Sequence, residues 1–178
     1  MISEFSVSPK PQNNVAKLLM LTMFFLTAII FVTSSIIEKY RGVVSSFGLI
    51  TLTAALLIYT KYISVKYYYE IMIDDDDTPL FLVRQTVGKR TSTLCRVELA
   101  TVIRVEREDK AKCSAHKIPK GTYLYRYLPT MAPSYVIRLY ISGYSAKSEI
   151  LIEGNEDFSN LLLDYAKIAR ERYRASED

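Results

Sequence analysis

A chain of 178 residues with 23 Lys and Arg against 19 Asp and Glu lacks the concentrated basic excess by which a domain binds nucleic acid. Two cysteines and a single histidine leave little from which to assemble a metal centre or a general base. The hydrophobic residues, 49% of the chain, are spread unevenly, and that unevenness sets the organisation.

Residues 1–14 carry no sustained period and read as a flexible N-terminal segment. Residues 18–37 and 42–60 are then uncharged and apolar, parted only by Glu38, Lys39, Tyr40 and Arg41. Each run is about 20 residues long, which at about 1.5 Å per residue matches a hydrocarbon core of about 30 Å. A secretory signal has a shorter apolar core of about 7–15 residues, whereas Phe24, Phe25, Ile29, Ile30 and Phe31 continue here to Ile36 and Ile37. Two buried helices of a soluble core would need a polar face, and neither run has one. The expectation is a transmembrane hairpin over residues 15–63. Thr22, Thr27, Thr33, Ser45, Ser46, Thr51 and Thr53 are small polar residues suited to helix packing within it. No ionisable side chain interrupts either run, which argues against a transporter or channel subunit.

Cations near span ends are retained on the cytoplasmic side. Lys10, Lys17, Lys61 and Lys66 flank the outer ends, against Lys39 and Arg41 in the loop. The expected topology therefore places both termini in the cytoplasm, in a plasma or inner cell membrane. Tyr59, Tyr62, Tyr67, Tyr68 and Tyr69 cluster where the second span meets water and are expected as interfacial anchors.

Residues 64–178 suffice for one water-facing domain. Tyr67, Tyr69, Ile71 and Ile73 alternate with Lys66, Tyr68, Glu70 and Met72, the period of a half-buried strand. Asp74 to Asp77, Thr78 and Pro79 turn the chain into a second strand over residues 80–87, which ends at Gly88. Further strands are predicted over 91–97, 99–106, 123–128, 135–141 and 147–153, with a surface loop at 109–122. Asn155 as N-cap, Glu156 and Asp157 in the first turn, and Phe158, Leu161, Leu162, Tyr165, Ile168 and Ala169 at helical spacing predict a C-terminal helix over about 155–174. Its apolar stripe is expected to close a core built from about seven strands.

No motif for catalysis stands out: there is no Gly-rich phosphate loop, zinc-binding helix or nucleophile elbow. Asp74 to Asp77 lack the alternation and the bending glycine of a calcium loop, so no metal or cofactor is expected. Cys95 and Cys113 read as free thiols, and His116 lies in the Lys-rich loop with Cys113. Cations are concentrated between Arg84 and Arg126. Lys61, Lys66, Arg84, Lys89, Arg90, Lys117 and Lys120 are the candidate contacts to a membrane surface or a partner.

A strand leaving the membrane at 67–73, a hairpin over 135–141 and 147–153, and a closing helix over 158–168 together resemble the bacterial pleckstrin-homology-like membrane proteins. The likeness covers residues 67–174 and the anchor, and rests on element order and length. It implies an α+β protein with a rolled or split antiparallel barrel plugged by the helix. It further implies a non-catalytic role in binding lipid or protein or in self-association. The expected partners are the bilayer and a protein partner or second copy, with anionic headgroups as the alternative.

Overall fold

The structure, a computed structural model, describes residues 2–9, 13–109, 120–142 and 147–177. The chain divides into two compact units: Pro11–Val65, and Met1–Lys10 together with Lys66–Asp178.

In the helical unit, α1 (Asn14–Ile36) leads through a 3-10 turn (Glu38–Tyr40) into α2 (Arg41–Ile58), which continues as one π-helical turn (Tyr59–Ile63). The segments Asn14–Ile36 and Arg41–Ile63 are each 23 residues long, about 34 Å, with mean hydropathies of 2.4 and 1.9 over their most apolar stretches. Only 11% of each stretch is buried. Side chains as large as Phe25, 70% exposed, and Leu57 point outward, which a soluble core helix would not tolerate. The buried positions are small residues instead: Ala16, Thr27, Ser34, Gly48 and Ala55. A β-carbon on Gly48 would lie 3.2 Å from the Phe31 ring, so the glycine permits the close helix approach. The hydroxyls of Thr27 and Thr51 hydrogen bond across the pair at 2.8 Å. Thr22, Thr33, Ser46 and Thr53 bond back to carbonyls of their own helices, satisfying polar groups that would otherwise face apolar surroundings. The Asn13 amide donates to the Tyr62 carbonyl and ties the hairpin's open end together.

The second unit holds two four-stranded sheets. Sheet A has the order β1 (Ile2–Val7), β2 (Val65–Ile73), β3 (Pro79–Val87), β4 (Arg90–Glu98). Sheet B has the order β5 (Val102–Asp109), β7 (Tyr135–Ser142), β8 (Lys147–Glu153), β6 (Thr122–Tyr127). Ile2–Val7 is thus a strand, where the sequence suggested a flexible segment. It pairs antiparallel with β2, from Ile2 opposite Ile73 to Val7 opposite Tyr69. The helical hairpin is therefore inserted between two adjacent strands of one sheet.

Two further differences concern topology. The strand expected over 99–106 begins only at Val102, because Leu99–Thr101 forms a 3-10 turn that buries Leu99. And β6 pairs parallel with β8, Thr122 opposite Lys147 to Tyr127 opposite Ile152, while the β5/β7 and β7/β8 pairs are antiparallel. The connection from β6 to β7 therefore passes the C-terminal end of β8, since Tyr127 lies opposite Ile152 and Val136 opposite Glu153. The sheets are not closed into a barrel.

Both sheets and the C-terminal helix α3 (Glu156–Glu177) enclose one core. Tyr69, Ile71, Phe81, Val83 and Val97 come from sheet A, Val102, Ile137, Leu139, Ile150 and Ile152 from sheet B, and Phe158, Leu162, Ala166 and Ala169 from α3. The Asn155 side chain caps the helix, accepting from the Phe158 amide at 2.9 Å, so the expected N-cap is present. Arg107 of β5 holds the first turn through Glu156 at 2.5 Å and through Ser159 and Asn160. The predicted apolar stripe faces the core except at Ile168, which is exposed. A β-carbon on Gly154 would lie 2.6 Å from the Ile137 δ-methyl and 3.1 Å from the Phe158 ring, so a side chain there would have to displace both.

Candidate functional site

Sheet A is a meander with a charge difference between its ends. Its β2–β3 turn contains Asp74 to Asp77, closed by Asp74 and Thr78 (3.0 Å) and with Asp77 at φ 60°. Asp75, Asp76 and Asp77 are exposed and Asp74 is half-buried, as expected of a solvated turn. Asp74 is held by Arg96 at 2.5 Å, and Asp77 lies 3.6 Å from Arg172 of α3, which also donates to the Asp77 carbonyl. The turn, the start of β3 and the end of α3 frame a cleft of about 360 Å³ lined by Asp76, Thr78, Glu98 and Tyr173. Two of its four aspartates, Asp74 and Asp77, thus meet arginines, and no group of three metal-ligating side chains occurs among the described residues.

At the opposite end, β3 and β4 are joined by the two-residue loop Gly88–Lys89. Gly88 has φ 61°, the left-handed conformation that a type II′ hairpin needs at its first loop position. Burial along β3 falls from complete at Pro79–Val83 to exposed at Val87, and every side chain from Val87 to Leu94 is exposed. The outer half of this hairpin therefore lies beyond the core. A bulge marks where it does so: Val83 pairs with Cys95 but Arg84 with Thr93, leaving Leu94 as the extra residue and increasing the local twist. The hydroxyls of Thr86 and Thr91 bond across the arm at 2.8 Å.

The candidate cations are distributed as follows. Lys66 at the start of β2, and Lys89 and Arg90 at the hairpin tip, are exposed at the same end of sheet A. Arg84 is not a free surface cation: its guanidinium pairs with Glu70 at 3.2 Å and rests on the Met72 sulfur. Lys120 belongs to sheet B, exposed just before β6. Lys61 is exposed in the helical unit, its ammonium over the Tyr62 ring. Lys117, Cys113 and His116 lie outside the described residues.

The tyrosine cluster divides. Tyr59 is exposed, and Tyr62 and Tyr68 are half-buried. Tyr69 is no interfacial anchor, because it is wholly buried between Phe81 and Phe158. Its hydroxyl donates to the Tyr127 carbonyl at 2.6 Å and accepts from the Glu153 amide at 3.2 Å, joining the two sheets. Burial drives its pKa well above the ordinary phenol value. Tyr67 is half-buried against the same core.

Sequence reasoning missed a second cluster, on the face of sheet B away from the shared core. Arg138 and Glu149 are each only 1% exposed and pair at 2.6 Å. Nearby, the Tyr140 hydroxyl donates to Glu106 at 2.5 Å, and Glu106 also pairs with Arg104. Burial and then the bond to Glu106 push the Tyr140 pKa up. A cleft of about 410 Å³ opens beside them, lined by Ile103, Arg104, Tyr140, Lys147 and Glu149. The signal was charged residues within otherwise apolar strands, a pattern equally consistent with a solvated face.

Cys95 is a free thiol whose pKa is raised by burial, which lowers its thiolate fraction. Tyr127 beside it is pushed up to about 12, mainly by burial. Glu153 also titrates above the usual carboxylate value because it is partly buried, though Thr130 hydrogen bonds oppose the shift. None of these groups combines a nucleophile with a base and an orienting third group. No family model, curated protein or solved structure matches this chain.

Proposed function

We propose that the chain is a two-span membrane protein that holds a non-catalytic interaction domain against the cytoplasmic face of the cell membrane. The observation that carries this reading is the pairing of β1 with β2 across the helical hairpin. Strands before and after two membrane-length helices can pair only if both lie on one side, as two spans allow and one forbids. The excess of lysines at the outer ends over the cations in the loop supports the cytoplasm as that side.

The core of two sheets closed by a C-terminal helix supports a PH-like reading of the domain, while the parallel β6/β8 pair and the strand preceding the helices depart from it. A protein partner is favoured by β4, the terminal strand of sheet A, whose outward edge pairs with no described strand. Such an edge offers a ladder of main-chain groups to an added strand. Photocrosslinkers at Thr93 and Leu94, in the full chain in its native membrane, are expected to give one discrete protein adduct that a crosslinker at Tyr173 on α3 does not. An adduct of twice the chain's mass identifies a second copy as the partner. Indistinguishable products from all three positions would refute an interaction along this edge.

A further inference from the structure

We propose that the tip of the β3–β4 hairpin, residues 87–90, docks on the anionic lipid headgroups of the membrane that the chain itself spans. The inference rests on the two-span reading and adds to it a named surface and its ligand.

Topology places this tip. β1 runs toward Val7, which is opposite Tyr69 at the middle of β2, and the chain continues toward the start of β2, where the Ser8 hydroxyl donates to the Tyr67 carbonyl. A five-residue turn can join β2 to β3 only as an antiparallel hairpin, so β3 returns to the end of the sheet where β2 began. The chain thus leaves sheet A for α1 from the end holding Val7, and re-enters it from α2 at Val65 on that same end. Only residues 8–13 separate β1 from α1, a link that reaches about 20 Å at most, and Ser64 alone separates the π turn from β2. The Gly88–Lys89 loop shares the end from which both connections to the membrane-length helices depart.

The chemistry of the tip fits a lipid surface. Lys66, Lys89 and Arg90 present cations there, whereas Asp74 to Asp77 occupy the far end, so the sheet carries an electrostatic polarity that an anionic leaflet would orient. Val87, 46% exposed, adjoins the loop and pairs with Arg90, and Leu94, 39% exposed, lies at the bulge four residues farther along an arm that carries no core side chains. Apolar side chains beside lysine and arginine suit the boundary between headgroups and acyl chains, where aliphatic groups enter and cations meet phosphate. An acidic protein surface would satisfy the charges but would not require exposed apolar residues beside them.

The test uses the full chain, with Cys95→Ser and Cys113→Ser, reconstituted in phosphatidylcholine vesicles with or without phosphatidylserine. A spin label at Val87→Cys should be shielded from a water-soluble relaxant in the anionic vesicles and less so in the neutral ones. A label at Asp76→Cys should remain in water in both. Lys89→Glu with Arg90→Glu should abolish the shielding, since each cation near an anionic surface contributes about fivefold to local affinity. Raised salt should weaken it, the screening length being about 10 Å at 0.1 M. An unchanged circular dichroism melt establishes that the charge-reversed chain is folded. A label at residue 87 that is equally wet in both lipids, or shielding at residue 76 instead, overturns the proposal. Resistance to alkaline extraction together with crosslinking of β1 to β2 in the same membranes reports independently on the two-span reading, so the two failures are distinguishable.

Discussion

Tyr69→Ala is expected to lower the stability of the β domain by about 3–5 kcal/mol, the range for removing a large buried aromatic side chain. Two separate contributions are lost together. The ring stacks on Phe158 at a centroid distance of 6.1 Å and lies 6.4 Å from Phe81, so its removal leaves a void among sheet A and α3. The hydroxyl spans to sheet B through Tyr127 and Glu153, leaving a buried carbonyl and amide without that partner. Tyr69→Phe isolates the second effect and should cost about 1–2 kcal/mol. Thermal melts of the full chain in detergent, followed by circular dichroism, measure both. A Tyr69→Ala melt coincident with the parent would show that the residue sits at an interface rather than in the core.

The second large effect is expected at the ion pair inside sheet B. Removing either partner alone, Arg138→Met or Glu149→Leu, leaves the other charge buried with its main counter-ion gone and should cost about 3–5 kcal/mol. The double variant should be more stable than either single one, because it removes both desolvated charges and keeps most of the volume. A double-mutant cycle in the same melts gives the coupling directly. Additive losses would mean that the two side chains act through separate partners. A large coupling with a folded double variant would show that the pair is not needed to specify the sheet.

Much of this fold is legible locally. The strands at 65–73, 135–142 and 147–153 announce themselves by alternation between turn residues, that at 79–87 by a β-branched and aromatic run between turns, and α3 by its stripe and its Asn155 cap. β1 is not legible, for two physical reasons. Its register shifts between Ser3 and Phe5, which breaks the two-residue period, and its partner lies beyond an inserted helical hairpin. The parallel β6/β8 pair is hidden likewise, since side-chain alternation reports burial and says nothing of a strand's neighbour or direction.

Within the candidate site, the sequence supplies Gly88, Lys89 and Arg90 as a basic turn, but which end of the domain they occupy follows only from the meander. Tyr69 shows two sequence signals in conflict. Its place in an aromatic cluster beside a span suggested the interface, while its place on the face shared with Ile71 suggested the core, and the strand period decided the outcome. The Glu70 partner of Arg84 was not legible because it is fourteen residues away in sequence but adjacent across the hairpin.

The central claim is that β1 and β2 form one sheet around a membrane hairpin, and a disulfide tests it most directly. Ser6 lies opposite Glu70 in the register of the pair. In a chain with Cys95 and Cys113 replaced by serine, Ser6→Cys and Glu70→Cys should crosslink rapidly when isolated native membranes are oxidised. Ser6→Cys with Glu98→Cys, on the remote edge strand, should not. Strong 6–70 crosslinking without 6–98 crosslinking is the result expected of a domain closed around a two-span insertion. Absence of the 6–70 bond in membranes where both cysteines react with maleimide would contradict it, placing the two strands apart or on opposite sides of the bilayer.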